Sequence, residues 1–435
     1  MGDREHHVIR VLESSISEEV VVGYGYKESE AEMRRRIEEL KREVETTDST
    51  STQCIDRVPP SLTGICPEAI EPEIVSIGPH DPDMKLLEFE SYKLQFLESL
   101  LCRERNEGGH DLLGEYYKAM ISLEKRTKSC YSENITMCCH DFVGMMVLDG
   151  CFIIELFLQM SKTSDVGQPI LRRPGLVPIV TRDLLKLQNQ LPFFVLEKLF
   201  EISSLGTEQL LQMRMQPGEV EHLLHLFHLS FRPQFDMMIT SNYAPNSNHE
   251  YRPSSESIQC TTQLRPSGIK FTPRRDAESF LDIDFRNGVL RIPPITINDL
   301  AIVVFINCMA LERCHQYVPQ HFTAYIAFMS GLIDSTRDVR LLCADGIITG
   351  FPLNDQNVAE MITKLGEQVA FNIRDCYLSK QFRDVEAYYS SHWATFMRTY
   401  FSRPWSFITV LTAFTVLLLG GIQTIMAILS YLQKK

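Results

Sequence analysis

Disulfide chemistry and an excess of basic charge are both missing from this chain. Twelve cysteines are spread over 435 residues with no Cys-x-x-Cys pair. That is too sparse for a disulfide scaffold, so they read as mostly buried thiols in a reducing compartment. Lys and Arg number 43 against 56 Asp and Glu, a net charge of −13. Such a balance argues against nucleic acid as a partner, and solubility is reason enough for it. The first residues, MGDREHHVIRVLESS, lack the apolar stretch of a secretory signal. His6 stands where N-myristoylation wants Ser or Thr.

Catalytic motifs are missing as well. There is no GxSxG elbow, no GxxxxGKS/T phosphate loop and no HExxH zinc helix, so no cofactor is called for. Gly23-Tyr24-Gly25-Tyr26 lacks the third glycine and the preceding strand of a dinucleotide loop. His222, His225 and His228 recur at three-residue steps, which places the outer two poorly for one metal, and they read as partly exposed helix histidines. Cys138-Cys139-His140, with Cys130 upstream, matches no standard zinc spacing. Asp282 and Asp284 flank Ile283 as a metal–nucleotide DxD pair would and are weak site candidates. In an alternating strand, both would simply point to the solvent face.

What the chain does have is a tail without charge. From Pro404 to Gln433 no side chain is charged, and 13 of the 25 residues from Trp405 to Leu429 are Leu, Ile, Phe or Val. As a helix those residues extend about 37 Å, enough to cross a hydrocarbon core of about 30 Å. Leu417, Leu418, Leu419 and Ile422 would face lipid. Trp405 and Tyr431 would anchor the two interfaces, with Arg398 and Arg403 flanking one side and Lys434 and Lys435 the other. So little follows Gln433 that insertion after translation is expected, with the large domain in the cytosol. Whether the plasma membrane or an endomembrane holds it is left open. One sequon, Asn134-Ile135-Thr136, would matter only for a luminal domain.

Ahead of the tail, hydrophobic spacing predicts a mainly α fold: a large helical domain with a few short strands and a C-terminal transmembrane helix. Residues 1–53 form an extension, with a Met33, Ile37, Leu40, Val44 stripe on a short exposed helix and a polar linker from Glu45 to Gln53. Residues 54–400 form the helical domain, and residues 404–431 the anchor. Helices are expected at Lys85–Arg105, Asp111–Lys128, Phe142–Met160, Arg182–Ser203 (interrupted by Pro192), Val220–Phe231, Asp299–Cys314, Phe322–Asp334 and Asn357–Cys376. Phe142–Met160 is apolar enough to mimic a span, but Asp149 and Glu155 make it a buried core helix. A long polar loop is expected over Arg232–Pro266, and strands over Phe280–Phe285 and Gly288–Ile297.

Several ordered segments carry a resemblance. They are CIDRVPP (Cys54–Pro60), PEIVSIGPH (Pro72–His80), MVLDGCFIIE (Met146–Glu155), RDLLKLQNQLPFFVLE (Arg182–Glu197), FRNGVLRIPP (Phe285–Pro294) and YFSRPW (Tyr400–Trp405). Together they resemble the plant family named domain of unknown function 247, from about Cys54 to the end. The chain departs from that pattern at Gln188, where a glutamate is usual, and at Asp56, where an aromatic residue is usual. The resemblance implies a largely helical plant protein with a C-terminal span and no established catalysis. Some grass members of the family are implicated in self-incompatibility, a role that no motif transfers to this chain. Asp56, Arg57, Asp149 and Glu155 read as buried ion-pair members.

The leading expectation is a membrane-anchored interaction or recognition module, touching lipid through its tail and protein partners elsewhere. The alternatives are a membrane-tethered enzyme using Asp282, Asp284 or the histidines, and an adaptor using the Met33–Val44 stripe.

Overall fold

The computed structural model describes residues 35–36, 53–79, 87–108, 111–161, 175–203, 220–231, 258–349, 354–369, 376–401 and 404–433. The chain divides into two units, Met1–Gln53 and Cys54–Lys435. In the first, Arg35 and Arg36 are helical and exposed. The rest of the Met33–Val44 stripe, the linker up to Thr52 and most of the polar loop after Arg232 lie outside the described residues.

The second unit is mainly helical. A short helix, α1 (Pro60–Thr63), precedes α2 (Leu87–Gly108), α3 (Leu112–Lys128) and α4 (Cys139–Ser161). Asp111 caps α3 by accepting from the Gly114 amide. α4 is the axis of the first half. One face joins Phe142 and Met146 to Tyr116 and Met120 of α3, and the other joins Phe152 and Ile153 to Phe89 and Phe96 of α2. Buried on both sides, it reads as apolar all round.

The helix expected from Arg182 to Ser203 is two helices, α5 (Leu176–Leu184) and α6 (Phe193–Ile202). The break comes earlier than Pro192, because Lys186, Asn189 and Gln190 give their side chains to neighbouring backbone instead. Pro192 then serves as N-cap of α6. Gly150 of α4 lets α6 approach, since a Cβ there would lie 2.3 Å from a Leu199 methyl.

The other half begins with α7 (Leu223–Ser230) and a short turn of helix, α8 (Thr261–Leu264). A three-stranded sheet follows, ordered β1 (Lys270–Pro273), β3 (Val289–Ile292), β2 (Asp284–Arg286). β1 runs parallel to β3 and β2 antiparallel to it, with Asp284 opposite Arg291. Asn287 and Gly288 turn the hairpin, both at positive φ (51° and 75°), the geometry for which Asn-Gly is best suited. The expected strand over Phe280–Phe285 is therefore shorter: Asp284 opens it, Phe280 and Leu281 are turn, and Asp282 and Ile283 lie outside the strand. Two-residue strands β4 (Ile295–Thr296) and β5 (Ile348–Thr349) pair in parallel.

Helices α9 (Asp299–Cys314), α10 (His321–Leu332), α11 (Thr336–Ala344) and α12 (Asp355–Glu367) form the largest core, around Phe305, Ile306, Phe322, Phe328 and Leu365. Side-chain caps set several starts: Asn298 for α9, Asn354 for α12 and a reciprocal Ser335–Asp338 box for α11. Then come α13 (Ser379–Tyr389), α14 (His392–Phe401) and α15 (Pro404–Gln433). Across Leu411–Ser430, with mean hydropathy 1.9, no part of α15 is buried.

Candidate functional site

Two extended segments meet beside α3 and α5. Cys54 and Ile55 both donate their amides to the Cys130 carbonyl, at 2.9 and 3.0 Å, and Ser132 returns a bond to the Ile55 carbonyl at 3.0 Å. This isolated parallel bridge fixes Asp56 and Arg57 against the loop that follows α3.

The second segment, Glu73–Pro79, runs as a strap and is held by side chains rather than by a sheet. Asp183 accepts from the amides of Glu73, Ile74 and Val75, at 2.8, 2.8 and 2.9 Å. Asn189 accepts from Ile77 at 2.6 Å and donates to the Val75 carbonyl at 2.9 Å. Asp149 accepts from Gly78 at 2.9 Å and pairs with Lys93 Nζ at 2.6 Å. Gly78 has φ +81°, and a Cβ there would meet the Gln190 carbonyl at 2.7 Å. Glycine is therefore required for the strap to pass.

Between bridge and strap opens a cleft of about 450 Å³, lined by Asp56, Arg57, Pro79, Glu133, Asn134 and Gln188 among others. The two departures from the family pattern, Asp56 and Gln188, both line it. Arg57 pairs with Glu133 at the rim, where both are exposed, so the expectation that Arg57 forms a buried pair is corrected. Asp56 is only half-buried on the cleft wall, where it pairs with His315. Asp149 pairs with Lys93, and Glu155 with Arg103 at 2.5 Å, both carboxylates buried.

Behind Asp56 lies a layer of titratable groups in which His315 and His222 are buried, Glu221 is half-buried and Tyr317 is exposed. His315 Nε2 is 3.1 Å from the Asp56 carboxylate, and Tyr317 Oη bridges His315 Nδ1 at 3.0 Å and Glu221 at 2.5 Å. His222 is the N-cap of α7, accepting from the His225 amide at 3.2 Å. Burial, helped by the His225 and His315 rings, pushes its pKa well below the ordinary histidine value. Cys54 and Cys130 are hydrogen-bonded to each other. That contact raises the Cys54 thiol and lowers Cys130, which Arg126 also favours.

The histidines are thus not partly exposed: His222, His225 and His228 are all buried. The reason is tertiary. Leu224 donates its amide to Gln190 at 3.1 Å, and His228 Nε2 lies 2.7 Å from Glu312 of α9. Glu312 also accepts from Phe322 and Thr323 at the start of α10, at 2.8 Å each, where a carboxylate suits the helix dipole. Among the described residues no group of three or more His, Cys, Asp or Glu is placed to hold a metal ion.

Asp282 and Asp284 do not face solvent either; both are buried. Asp282 accepts from the Ser279 amide at 3.3 Å in a tight turn. Asp284 accepts from Arg286 Nε at 3.1 Å and Arg291 Nη2 at 2.5 Å, so it ties the hairpin together. They lie outside the cleft lining. Of the anchor residues, Leu417, Leu418, Leu419 and Ile422 are exposed on α15. The side chains of Trp405 and Tyr431 lie outside the described residues.

Sequence reasoning missed Lys93, Asp183 and Asn189, which build the strap. The RDLLKLQNQLP run was the available signal: Asp183 and Lys186, three residues apart, pair at 2.9 Å.

With this geometry in place, comparison with known proteins is informative. A family model described as a plant protein of unknown function, DUF247, matches residues 55–419. The UPF0481 protein At3g47200 of Arabidopsis thaliana is 32% identical over 419 residues, covering 88% of this chain and 87% of its own length. The putative UPF0481 protein At3g02645 of the same plant is 24% identical over 481 residues, covering 86% and 89%. No solved structure matches the chain.

Proposed function

This chain belongs to the plant family of unknown function 247, and on that premise we propose that it is a membrane-anchored interaction module. In this reading α15 holds the helical domain at a lipid surface, on the cytosolic side, and the cleft beside Asp56 and Gln188 receives a protein partner in recognition or signalling.

The observation that carries the proposal is the bareness of α15. Its residues Leu411–Ser430 are long and apolar enough to span a bilayer, and among the described residues none of them is buried. A large aliphatic side chain left in water forgoes about 1.5–3 kcal/mol relative to burial, so a stripe of this length needs an apolar medium. The cleft is favoured as contact site because it is open, mixed in charge at its rim and built on a strap locked from behind.

Two experiments test the reading. Residues 404–435 appended to a soluble fluorescent reporter should make it resist carbonate extraction; a reporter that stays soluble would count against the anchor. A photo-crosslinking residue at Thr136, on the cleft wall, should give discrete protein adducts in native membranes that Asp56→Lys abolishes. Adducts unaffected by that change would move the contact elsewhere.

A further inference from the structure

α14 stands between the folded domain and α15. One of its faces is fixed to the domain. It packs on the 3-10 turn Arg265–Ser267, and Ala394 is completely buried. Arg398 Nη1 donates to Ser267 Oγ at 3.2 Å and to the Tyr389 carbonyl at 3.0 Å, with its guanidinium 3.9 Å from the Tyr389 ring centroid. These contacts keep the helix from rolling.

The other face carries Trp393, 59% exposed, and Phe396, 41% exposed. Their rings stack 6.1 Å apart at 29°. Residues three apart share a helix face, so the two rings form one aromatic patch.

Continuity with α15 says what covers that patch. Only Ser402 and Arg403 separate the helices, which also touch. The 30 residues of α15 extend about 45 Å, as long as the whole bilayer of about 40–45 Å including headgroups. Its first turns, ahead of Leu411, therefore run through the headgroup layer. A two-residue link reaches at most about 7 Å, so α14 ends at the boundary between water and lipid. Tryptophan, with an apolar ring body and a polar N–H, favours that boundary, and amphipathic helices lie in its plane.

We infer that α14 is an interfacial helix whose Trp393 and Phe396 insert among lipid headgroups, holding the domain against the bilayer in one orientation. The inference rests on the anchor reading of α15 and adds to it: the domain does not swing on its two-residue link.

The chain holds two tryptophans, Trp393 and Trp405, so each can be made the sole reporter in the full-length protein. Trp405→Phe leaves the α14 probe and Trp393→Phe leaves the α15 probe, with circular dichroism confirming the fold of each. Both variants are reconstituted in phosphatidylcholine vesicles carrying a spin label at the headgroup or at mid-chain. Trp393 emission is expected to shift to the blue and to lose most of its intensity to the headgroup label, with little loss to aqueous iodide.

If Trp405 is quenched by labelled lipid while Trp393 stays open to iodide, the interfacial helix is overturned and the anchor stands. If neither is quenched by lipid, the anchor reading fails and takes the inference with it. Trp393 shielded from lipid label and iodide alike would mean that protein covers the patch, also overturning the inference. Dilution of protein in lipid would then separate a second copy from the same chain.

Discussion

α4 and α15 are the two longest described helices, at 23 and 30 residues, both strongly apolar, and they behave in opposite ways. α4 is wrapped by α2, α3 and α6 and buries Asp149 and Glu155 among its aliphatic residues. α15 carries no charge, and among the described residues none of Leu411–Ser430 is buried. Length and hydropathy alone do not separate such helices; the carboxylates do. An Asp at a bilayer centre costs about 2.5–3.5 kcal/mol, whereas inside the domain Asp149 meets the Lys93 ammonium and the Gly78 amide. Buried polar groups lock the domain, whereas Leu411–Ser430 of α15 stand bare.

The largest effect should come from breaking a lock. Asp149→Ala leaves the Lys93 ammonium, 2% exposed, buried without its main partner. Urea unfolding of the detergent-solubilised chain should then lose about 3–5 kcal/mol. A loss below about 1 kcal/mol, the usual worth of an exposed pair, would mean the pair is solvated.

A smaller loss is expected at the hairpin. Asp284→Asn weakens two charge-assisted bonds, although Arg286 is exposed and Arg291 only half-buried. Unfolding should register about 1–2 kcal/mol. No change would restore the solvent-facing reading of this residue.

The buried histidine makes the domain sensitive to acid. His222 is kept neutral in the fold, while the unfolded chain takes up a proton as pH falls below the ordinary value of 6.5. The unfolded state then binds more protons, so stability is full above that pH and declines below it. The decline is about 1.4 kcal/mol per pH unit for this one group. His222→Asn, which keeps a side-chain acceptor for the His225 amide, should flatten that part of the profile. An unchanged slope would assign the acid sensitivity elsewhere.

The smallest effect sharpens the contrast. Leu418→Ala on α15 should leave domain unfolding within about 0.5 kcal/mol of wild type. A larger loss would mean that α15 packs on the domain after all.

Sequence made the local features legible and left the long-range ones hidden. α9 runs from Asp299 to Cys314 as its spacing predicts, because Asn298 caps its start and the apolar run is unbroken. α4 was readable as a core helix from Asp149 and Glu155 alone. Their partners were not, since Lys93 and Arg103 lie on another helix, 56 and 52 residues away in the chain. His222, His225 and His228 looked partly exposed because what buries them, Gln190 and Glu312, is remote in sequence. α13 and α14 went unread: both are short and mixed in polarity, and packing shapes them more than periodicity does. The cleft was invisible for the same reason, although its motifs were in view. Cys54–Pro60, Pro72–His80 and Arg182–Pro192 only become one site when the strap is tied.

Removing Pro404–Lys435 from the full chain tests the central claim most directly. The truncated protein should leave the membrane fraction on carbonate washing, while the intact chain remains, and its Asn134, exposed at the cleft, should carry no glycan in either form. A truncated protein that still resists carbonate would contradict the account, because among the described residues no other helix is long, apolar and bare enough to hold it there.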